Sequence, residues 1–459
     1  MKPPFVVLAA IAAVLAGCAH YEPLPLSTAR VQQDLEARSL DDPALRDYVR
    51  QHLHRAAPPW DLDALTAAAW YASPGMDQAR AQLAVRSAAV ITAGQRPRPT
   101  LNVPFDYNTT AKPGESPYTL GLGLDIPIET AGKRGYRVAN AKALSLAARF
   151  DIGAVAWRIR QQLRAQLLAL WDAGVRVHLL QEQVALRERL LHSLEHRLAL
   201  GEAARAELEV ARALSEGDRL RLAQARQARA EALAAAAGVI GLPASALAGQ
   251  ALDLQGFDEP ARAPRRDALL DAALRNHADV QAQLARYEAS QSALQLAVAA
   301  QYPDLHLGPG FTYDAGAHKL SLSLSGIPIP LPHDNEGPIA EATARRRLEA
   351  ARVRATVASA LAEVDRAFAA WPPAAAALDS ARARVATQDR LVLAAAAALR
   401  AGEGDRTSLL RAELDAGSAR LDAQKALLEL QKVAGAIEDA VQRPVLEWPG
   451  AAPGQEKGS

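Results

Sequence analysis

Leu200-Gly201-Glu202-Ala203-Ala204-Arg205, with Leu208 beyond it, recurs 201 residues later as Ala401-Gly402-Glu403-Gly404-Asp405-Arg406, with Leu409 beyond. Two further matches keep the same register: Ile126-Pro127-Ile128 with Ile327-Pro328-Ile329, and Ala81-Gln82-Leu83-Ala84 with Ala282-Gln283-Leu284-Ala285. Three anchors at one offset mark a tandem duplication, so one structural unit is used twice.

Outward from the first phrase, no Pro occurs between Pro127 and Pro243. Leu163, Leu167, Leu170, Val177, Leu180, Val184, Leu191, Leu194 and Leu198 recur at gaps of three, four or seven, a stripe like that of a coiled coil. A continuous helix from Gly132 to Leu200 would be ~100 Å long, far more than a globular core needs, and reads as a spacer or a tube wall. Gly201 then breaks the helix, and a second periodic stretch returns from about Ala203 to Gly238. The second copy repeats this from Pro338 to Leu399, around Gly402, and back to about Val441. One departure is Trp371-Pro372-Pro373, which is expected to break or kink its outgoing helix.

Upstream of each long helix the period changes to two. Leu101, Val103, Phe105 and Tyr107 alternate with Asn102, Pro104, Asp106 and Asn108. After Lys112-Pro113-Gly114, Tyr118, Leu120, Leu122, Leu124 and Ile126 alternate with Thr119, Gly121, Gly123 and Asp125. In the second copy Leu305, Leu307, Phe311 and Tyr313 alternate with His306, Gly308, Gly310 and Thr312, then Leu320, Leu322 and Leu324 with Ser321, Ser323 and Ser325. Each segment has about the length a tilted strand needs to cross a bilayer, although a soluble hairpin with one buried face reads the same way. Four strands cannot close a barrel, and an open edge in lipid would leave backbone groups unsatisfied. If the hairpins enter a membrane, several chains share one barrel; three would give twelve strands and four would give sixteen.

The N-terminus carries Lys2, an apolar stretch from Phe5 to Leu15 that is too short to span a bilayer, and Leu15-Ala16-Gly17-Cys18. Residues 1–17 read as a signal peptide, and Leu15-Ala16-Gly17-Cys18 resemble a bacterial lipobox, with cleavage before Cys18 and lipidation of its thiol. Cys18 is the only cysteine of 459 residues, so no disulfide framework is possible and stability must come from packing and assembly. Ala19, where an Asp would favour retention at the inner membrane, points to the outer membrane. Residues 18–60 read as a Pro-punctuated leader; Asp61 or Asp63 would cap the first regular helix, which runs towards Gln95 with an interruption at Ser73-Pro74-Gly75. The first repeat then covers 61–255, a linker 256–264, the second repeat 265–442, and a Pro/Gly-containing mobile tail 443–459.

Aromatics make up 5% of the chain, Ala-rich runs dominate, and the net charge is +1 with Arg and Glu interspersed. That composition suits an extended helical protein and offers no basic face for nucleic acid.

Together these features resemble the outer-membrane efflux protein family, the TolC-like channels, over residues 60 to 440. The most specific pieces are the Gly201 and Gly402 turns, the junctions Ile126-Pro127-Ile128 and Ile327-Pro328-Ile329-Pro330, and Asn335-Glu336-Gly337-Pro338-Ile339 with Ala340 and Ala342. The resemblance implies a mixed α and membrane-β fold of duplicated helix-hairpin-helix units. Three chains would share a twelve-stranded barrel in the outer membrane, continuous with a long helical barrel in the periplasm. It implies a passive conduit of a tripartite efflux system for small toxic compounds, drugs or metal ions, working with a periplasmic adaptor and an inner-membrane pump.

The docking tip would be Gly201, Glu202, Arg205, Glu207 and Leu208 with Gly402, Glu403, Asp405, Arg406 and Leu409. The family often places an Asp six residues after the turn glycine; here those positions hold Glu207 and Ser408. Leu101, Val103, Phe105, Leu120, Leu122, Leu124, Leu305, Leu307, Phe311, Leu320 and Leu322 would face lipid. Asn102, Asp106, Asn108, Asp125, His306, Thr312, Ser321 and Ser323 would line the lumen. Type I protein secretion, and a lipid-anchored periplasmic adaptor or scaffold with soluble hairpin modules, stand as alternatives.

Catalytic chemistry is not suggested. His192 and His196 lie four apart on a helix without a third ligand at zinc-site spacing, and His52-Leu53-His54 is weaker. Gly132-Lys133-Arg134 lacks the glycine spacing and hydroxyl of a phosphate loop, and there is no nucleophile elbow or glycine fingerprint. No metal, cofactor or enzyme activity is expected.

Overall fold

The computed structural model describes residues 21–55, 59–112, 114–259, 265–326 and 335–444. The signal peptide, Cys18, the junction Ile327-Pro328-Ile329-Pro330, part of the linker and most of the tail lie outside the described residues. Two short helices come first, α1 (Thr28–Glu36) and α2 (Pro43–Leu53), capped by Ser27 and Asp42. Next are α3 (Leu62–Ala72), whose cap is Asp61 accepting from Ala64 N–H, and α4 (Pro74–Gly94). Strands β1 (Thr100–Asn102), β2 (Phe105–Tyr107) and β3 (Tyr118–Ile128) lead to α5 (Lys133–Ala199) and α6 (Arg205–Ile240). After α7 (Ala244–Leu247) and α8 (Arg266–Asn276) the pattern repeats: α9 (Ala278–Ala299), β4 (Leu305–Asp314), β5 (Ala317–Ser325), α10 (Glu336–Ala401) and α11 (Arg406–Val441).

The outgoing helices α5 and α10 have 67 and 66 residues, and the returning helices α6 and α11 have 36 each. At 1.5 Å per residue each outgoing helix is ~100 Å long. α4 and α6 therefore lie along different stretches of α5, as α9 and α11 do along α10. Ends meet in between: a Cβ on Gly241, the left-handed C-cap of α6, would lie 2.7 Å from Ala72 O, just before α4.

The main hydrophobic core sits at that meeting zone. It gathers Leu45 and Val49 of α2, Leu65 and Ala68 of α3, Leu163 and Leu167 of α5, Ile240 of α6, Leu269 of α8, Trp371 of α10 and Ile437 of α11. The leader is thus part of the body from Leu40 onward rather than only a tether. A buried ion cluster locks α5 to α11: Glu438, fully buried, accepts from Arg160 at 3.0 Å and lies 3.6 Å from Arg164 Nε. Asp63 stands 3.8 Å from Arg160, so two guanidiniums face two carboxylates, and burying such charges is tolerable because they balance.

The expected break at Trp371-Pro372-Pro373 does not occur; α10 runs through both prolines. Neither can donate to the carbonyls of Phe368 and Ala369 one turn back. The turns on either side are held by burial of Val364, Ala367, Trp371 and Leu378 in the core, and tertiary packing outweighs the lost bonds.

The strands form one antiparallel sheet ordered β1-β3-β4-β5, with β2 also on β3. The two hairpins are joined through β3 and β4, with Leu122 opposite Phe311 and Ile126 opposite Leu307. The first strand is shorter than its alternation suggested, interrupted at Val103 and Pro104. Proline has no N–H for the ladder, although Pro104 O accepts from Gly121 at 2.9 Å.

Candidate functional site

Pairing places the alternating residues on two distinct faces. One carries Leu101 opposite Leu124, Phe105 opposite Leu120, Phe311 opposite Leu320, and Pro309 opposite Leu322. These apolar side chains are exposed; Leu320 is 89% accessible and Leu322 73%. An apolar sheet face of this kind in water would be an aggregation hazard, so it calls for a cover of lipid or protein.

The other face carries Asn102, Asp106, Asp125, His306, Thr312, Ser321 and Ser323 with Gly121, Gly123, Gly308 and Gly310. His306 Nδ1 stands 3.0 and 3.1 Å from the two carboxylate oxygens of Asp125, and Asp314 binds Thr119 and Lys319 at 2.8 and 2.7 Å. Asn108 lies just past β2, and its Oδ1 accepts from Thr110 N–H and hydroxyl, which shapes the hairpin loop. Among the described residues β5 pairs only with β4, and β1 and β2 only with β3, so both margins of the sheet keep free backbone groups.

At the far end, Gly201 and Gly402 turn the chain with φ of +77° and +76°. In both turns the residue after the glycine closes the helix end, Glu202 N–H on Arg197 O at 2.8 Å and Glu403 N–H on Ala398 O at 2.9 Å. Only a residue without a Cβ takes this left-handed conformation freely. The restarts differ: Asp405 caps α11 by accepting from Ser408 N–H at 2.6 Å, whereas Ala204 offers α6 no side-chain cap. The cap bonds to Ser408, then the charges of Arg197 and Arg411, hold the Asp405 carboxyl below the usual range.

Glu202, Arg205, Glu403, Asp405 and Arg406 are exposed at the tip, Glu207 and Leu409 half-buried. Leu208 is not presented: it is 4% exposed and packs with Leu190, Leu194, Ala211, Leu410 and Leu414. It holds the two hairpins together, so its expected docking role is corrected to packing. Sequence reasoning missed the charges that join the hairpins: Glu207 with Arg411, Arg197 with Asp405 at 3.6 Å, and Arg189 with Glu413 at 3.6 Å. These partners lie more than 200 residues apart in sequence, and nothing local marks them.

His192 and His196 are both exposed, and among the described residues no three His, Cys, Asp or Glu side chains converge as a metal site. Among those residues, no helix is long and apolar enough to cross a membrane.

An open sheet with one apolar face, continuous with outgoing helices ~100 Å long, is a fold shared with solved outer-membrane channels. VceC of Vibrio cholerae is similar at TM-score 0.67 and 19% identity, over 83% of this chain and 95% of that one. The outer-membrane channel OprN gives 0.67 and 19%, over 93% and 98%. The MtrE channel of Neisseria gonorrhoeae in its open state gives 0.66 and 18%, over 84% and 89%. A comparison with curated proteins found no match. Residues 67–242 and 269–440 match the outer membrane efflux protein family, and the chain belongs to that family of efflux channels, which are not enzymes.

Proposed function

We propose that the chain is one subunit of a homotrimeric outer-membrane channel, anchored through lipidated Cys18, that serves as the passive exit of a tripartite efflux system. The observation that carries this reading is the single open sheet. Its apolar face needs hydrocarbon, and its two free margins need partners that a neighbouring copy supplies without exposing an edge to lipid. With β1 and β2 counted as one interrupted strand, three copies would bring twelve strands around one axis, with Asn102, Asp106, Asn108, Asp125, His306, Thr312, Ser321 and Ser323 lining the lumen. The long helices would carry the conduit into the periplasm. There Gly201, Glu202, Arg205, Glu207, Gly402, Glu403, Asp405, Arg406 and Leu409 would meet an adaptor linked to an inner-membrane pump.

The cargo under this reading is small toxic compounds, drugs or metal ions. The adaptor alternative asks each hairpin to close as its own soluble module, and the pairing of β3 with β4 counts against it. The test uses the mature protein extracted from outer membranes. Detergent-resistant, heat-modifiable trimers and single-channel currents in planar bilayers are expected. A monomer that stays soluble without detergent and conducts nothing would overturn the reading.

A further inference from the structure

The seam where α11 ends and α9 begins has features that conduction does not use. Gln442, the C-cap of α11, and His277, the N-cap of α9, meet there. Gln442 Oε1 accepts from Ala278 N–H at 2.8 Å, and since a backbone N–H can only donate, the amide orientation is set. Its Nε2 then faces Asp279 at 3.1 Å and His277 Nε2 at 3.5 Å. His277 Nε2 is therefore the acceptor, and the ring proton sits on Nδ1. That N–H has no acceptor among the described residues. The Asp279 carboxylate is 3.6 Å away, beyond hydrogen-bond reach, although His277 is only 7% exposed.

A cleft of about 620 Å³ opens beside this junction between α5, α9, α10 and α11, with His277 in its lining. Gln161 of α5 lines it too, and its Nε2 is a second buried donor without an acceptor among the described residues. Each such group asks for an oxygen to receive its proton. The same lining holds three carboxylates whose hydrogen-bond donors are all neutral: Gln442 for Asp279, the Ser359 hydroxyl for Glu363 at 2.9 Å, and the Trp157 indole for Asp439 at 3.0 Å. Arg158 stands exposed on the lining and bridges to none of them.

This mixture selects among ligands. A cation would leave both orphan N–H groups unmet, and among the described residues the carboxylates do not converge as metal ligands would. An anion would face three carboxylates against one arginine. A neutral molecule that accepts at some atoms and donates at others meets both demands, and a hydroxyl does both at one oxygen. Half-buried Trp157 adds an aromatic surface in the same lining, suited to the C–H face of a sugar ring. Burial pushes the Asp439 carboxyl up against the opposing bond from Trp157, which marks the cleft as partly dry. Hydrogen bonds to a ligand count for more in such surroundings than in water.

We propose that this cleft binds a short neutral oligosaccharide. Its oxygens accept from His277 Nδ1–H and Gln161 Nε2, its hydroxyls donate to Asp279, Glu363 and Asp439, and one ring lies on Trp157. The cleft falls within the range of about 300–1,000 Å³ that small-molecule sites occupy. The site does not depend on the channel conducting.

The test is titration of the full-length protein, by calorimetry and tryptophan fluorescence, in a detergent without a sugar headgroup. The probes are chitotriose and maltotriose, beside spermidine and citrate. Saturable binding of at least one trisaccharide is expected, unchanged by added salt because the ligand carries no charge to be screened. Gln161→Glu, which turns an orphan donor into an acceptor at nearly constant shape, should weaken it by about tenfold, and Trp157→Leu by a similar factor. Glu363→Gln, which keeps an acceptor oxygen, should weaken it far less. His277→Phe gives a second reading of a lost donor, with circular dichroism reporting whether each variant is folded. No saturable binding of either trisaccharide, binding of spermidine or citrate alone, or sugar binding unmoved by both Gln161→Glu and Trp157→Leu overturns the proposal. Currents measured on the same preparation separate this outcome from failure of the channel reading: lost conduction with intact saccharide binding sinks only the channel.

Discussion

Gly201 and Gly241 share a left-handed backbone but differ in their surroundings, and this difference predicts their tolerance. A Cβ at Gly201 would meet nothing within 4 Å, so Gly201→Ala should cost only backbone strain, about 1–2 kcal/mol. At Gly241, φ +88°, the same Cβ would press on Ala72 O at 2.7 Å and on Pro74 Cδ at 3.0 Å. There the strain gains an overpacking cost of about 1–3 kcal/mol against backbone that cannot rotate away. Thermal melts of the purified variants check the order; equal losses would mean the meeting of α3 with α6 is slack. Asp405 makes a different prediction, one of pH. Its carboxyl titrates lower in the folded chain than unfolded, so the stabilisation is complete above the unfolded value of about 3.9 and is lost as pH falls through the folded value. The protection factors of amides 406–410, taken after correcting exchange for its intrinsic pH dependence, should therefore fall on acidification below about pH 4. Asp405→Asn, which keeps a capping oxygen without the charge, should remove that pH dependence.

Within the sheet, the two faces predict opposite responses to the same substitution. Leu122 lies on the apolar face opposite Phe311, and Ser323 on the polar face opposite Gly308. Leu122→Arg should lower assembly stability by about 2–4 kcal/mol if the residue sits near the bilayer midplane, while Ser323→Arg should assemble and alter conductance. The fraction of detergent-resistant trimer and the single-channel current report the two effects; equal losses of assembly would take the hairpins out of lipid. The alternation behind this prediction is readable in sequence because strand period is a local property, and the helix ends are readable for the same reason. Gly201 and Gly402 turn where their lack of a Cβ allows, and the stripe of Leu163 to Leu198 lies within one continuous helix. Long-range facts were not readable. Arg160 and Arg164 look like surface charges until α11 brings Glu438 to them from more than 270 residues away. Pro372 and Pro373 look like a break until the burial of Trp371 and Leu378 shows what holds the helix on either side. Leu208 and Leu409 occupy equivalent places in the repeat, yet Leu208 is buried while Leu409 is half-exposed beside buried Leu410. Duplication fixes a shared frame and leaves each copy free to diverge in what it packs against.

That divergence becomes functional where the copies touch, because the two tips are held to each other by unlike forces. The apolar cluster of Leu190, Leu194, Leu208, Leu410 and Leu414 supplies non-directional adhesion that survives a small change of angle between the hairpins. The pairs Glu207 with Arg411, Arg197 with Asp405, and Arg189 with Glu413 are directional and mostly exposed, each contributing no more than about 1 kcal/mol. Singly they are too weak to hold an entrance, but about 1.4 kcal/mol from two or three together shifts a two-state balance tenfold. In the proposed channel, replacing Arg189, Arg197 and Arg411 together by Gln should therefore raise the open-state current while leaving the trimer's heat resistance close to the parent's, since the leucines remain. High salt should move the parent in the same direction, because exposed pairs are screened and buried apolar contacts are not. Planar-bilayer recordings of parent and triple variant at low and high salt decide the matter. A variant with the parent's conductance and salt response would show that these charges do not set the width of the entrance, and the leucine cluster alone would then define its resting angle.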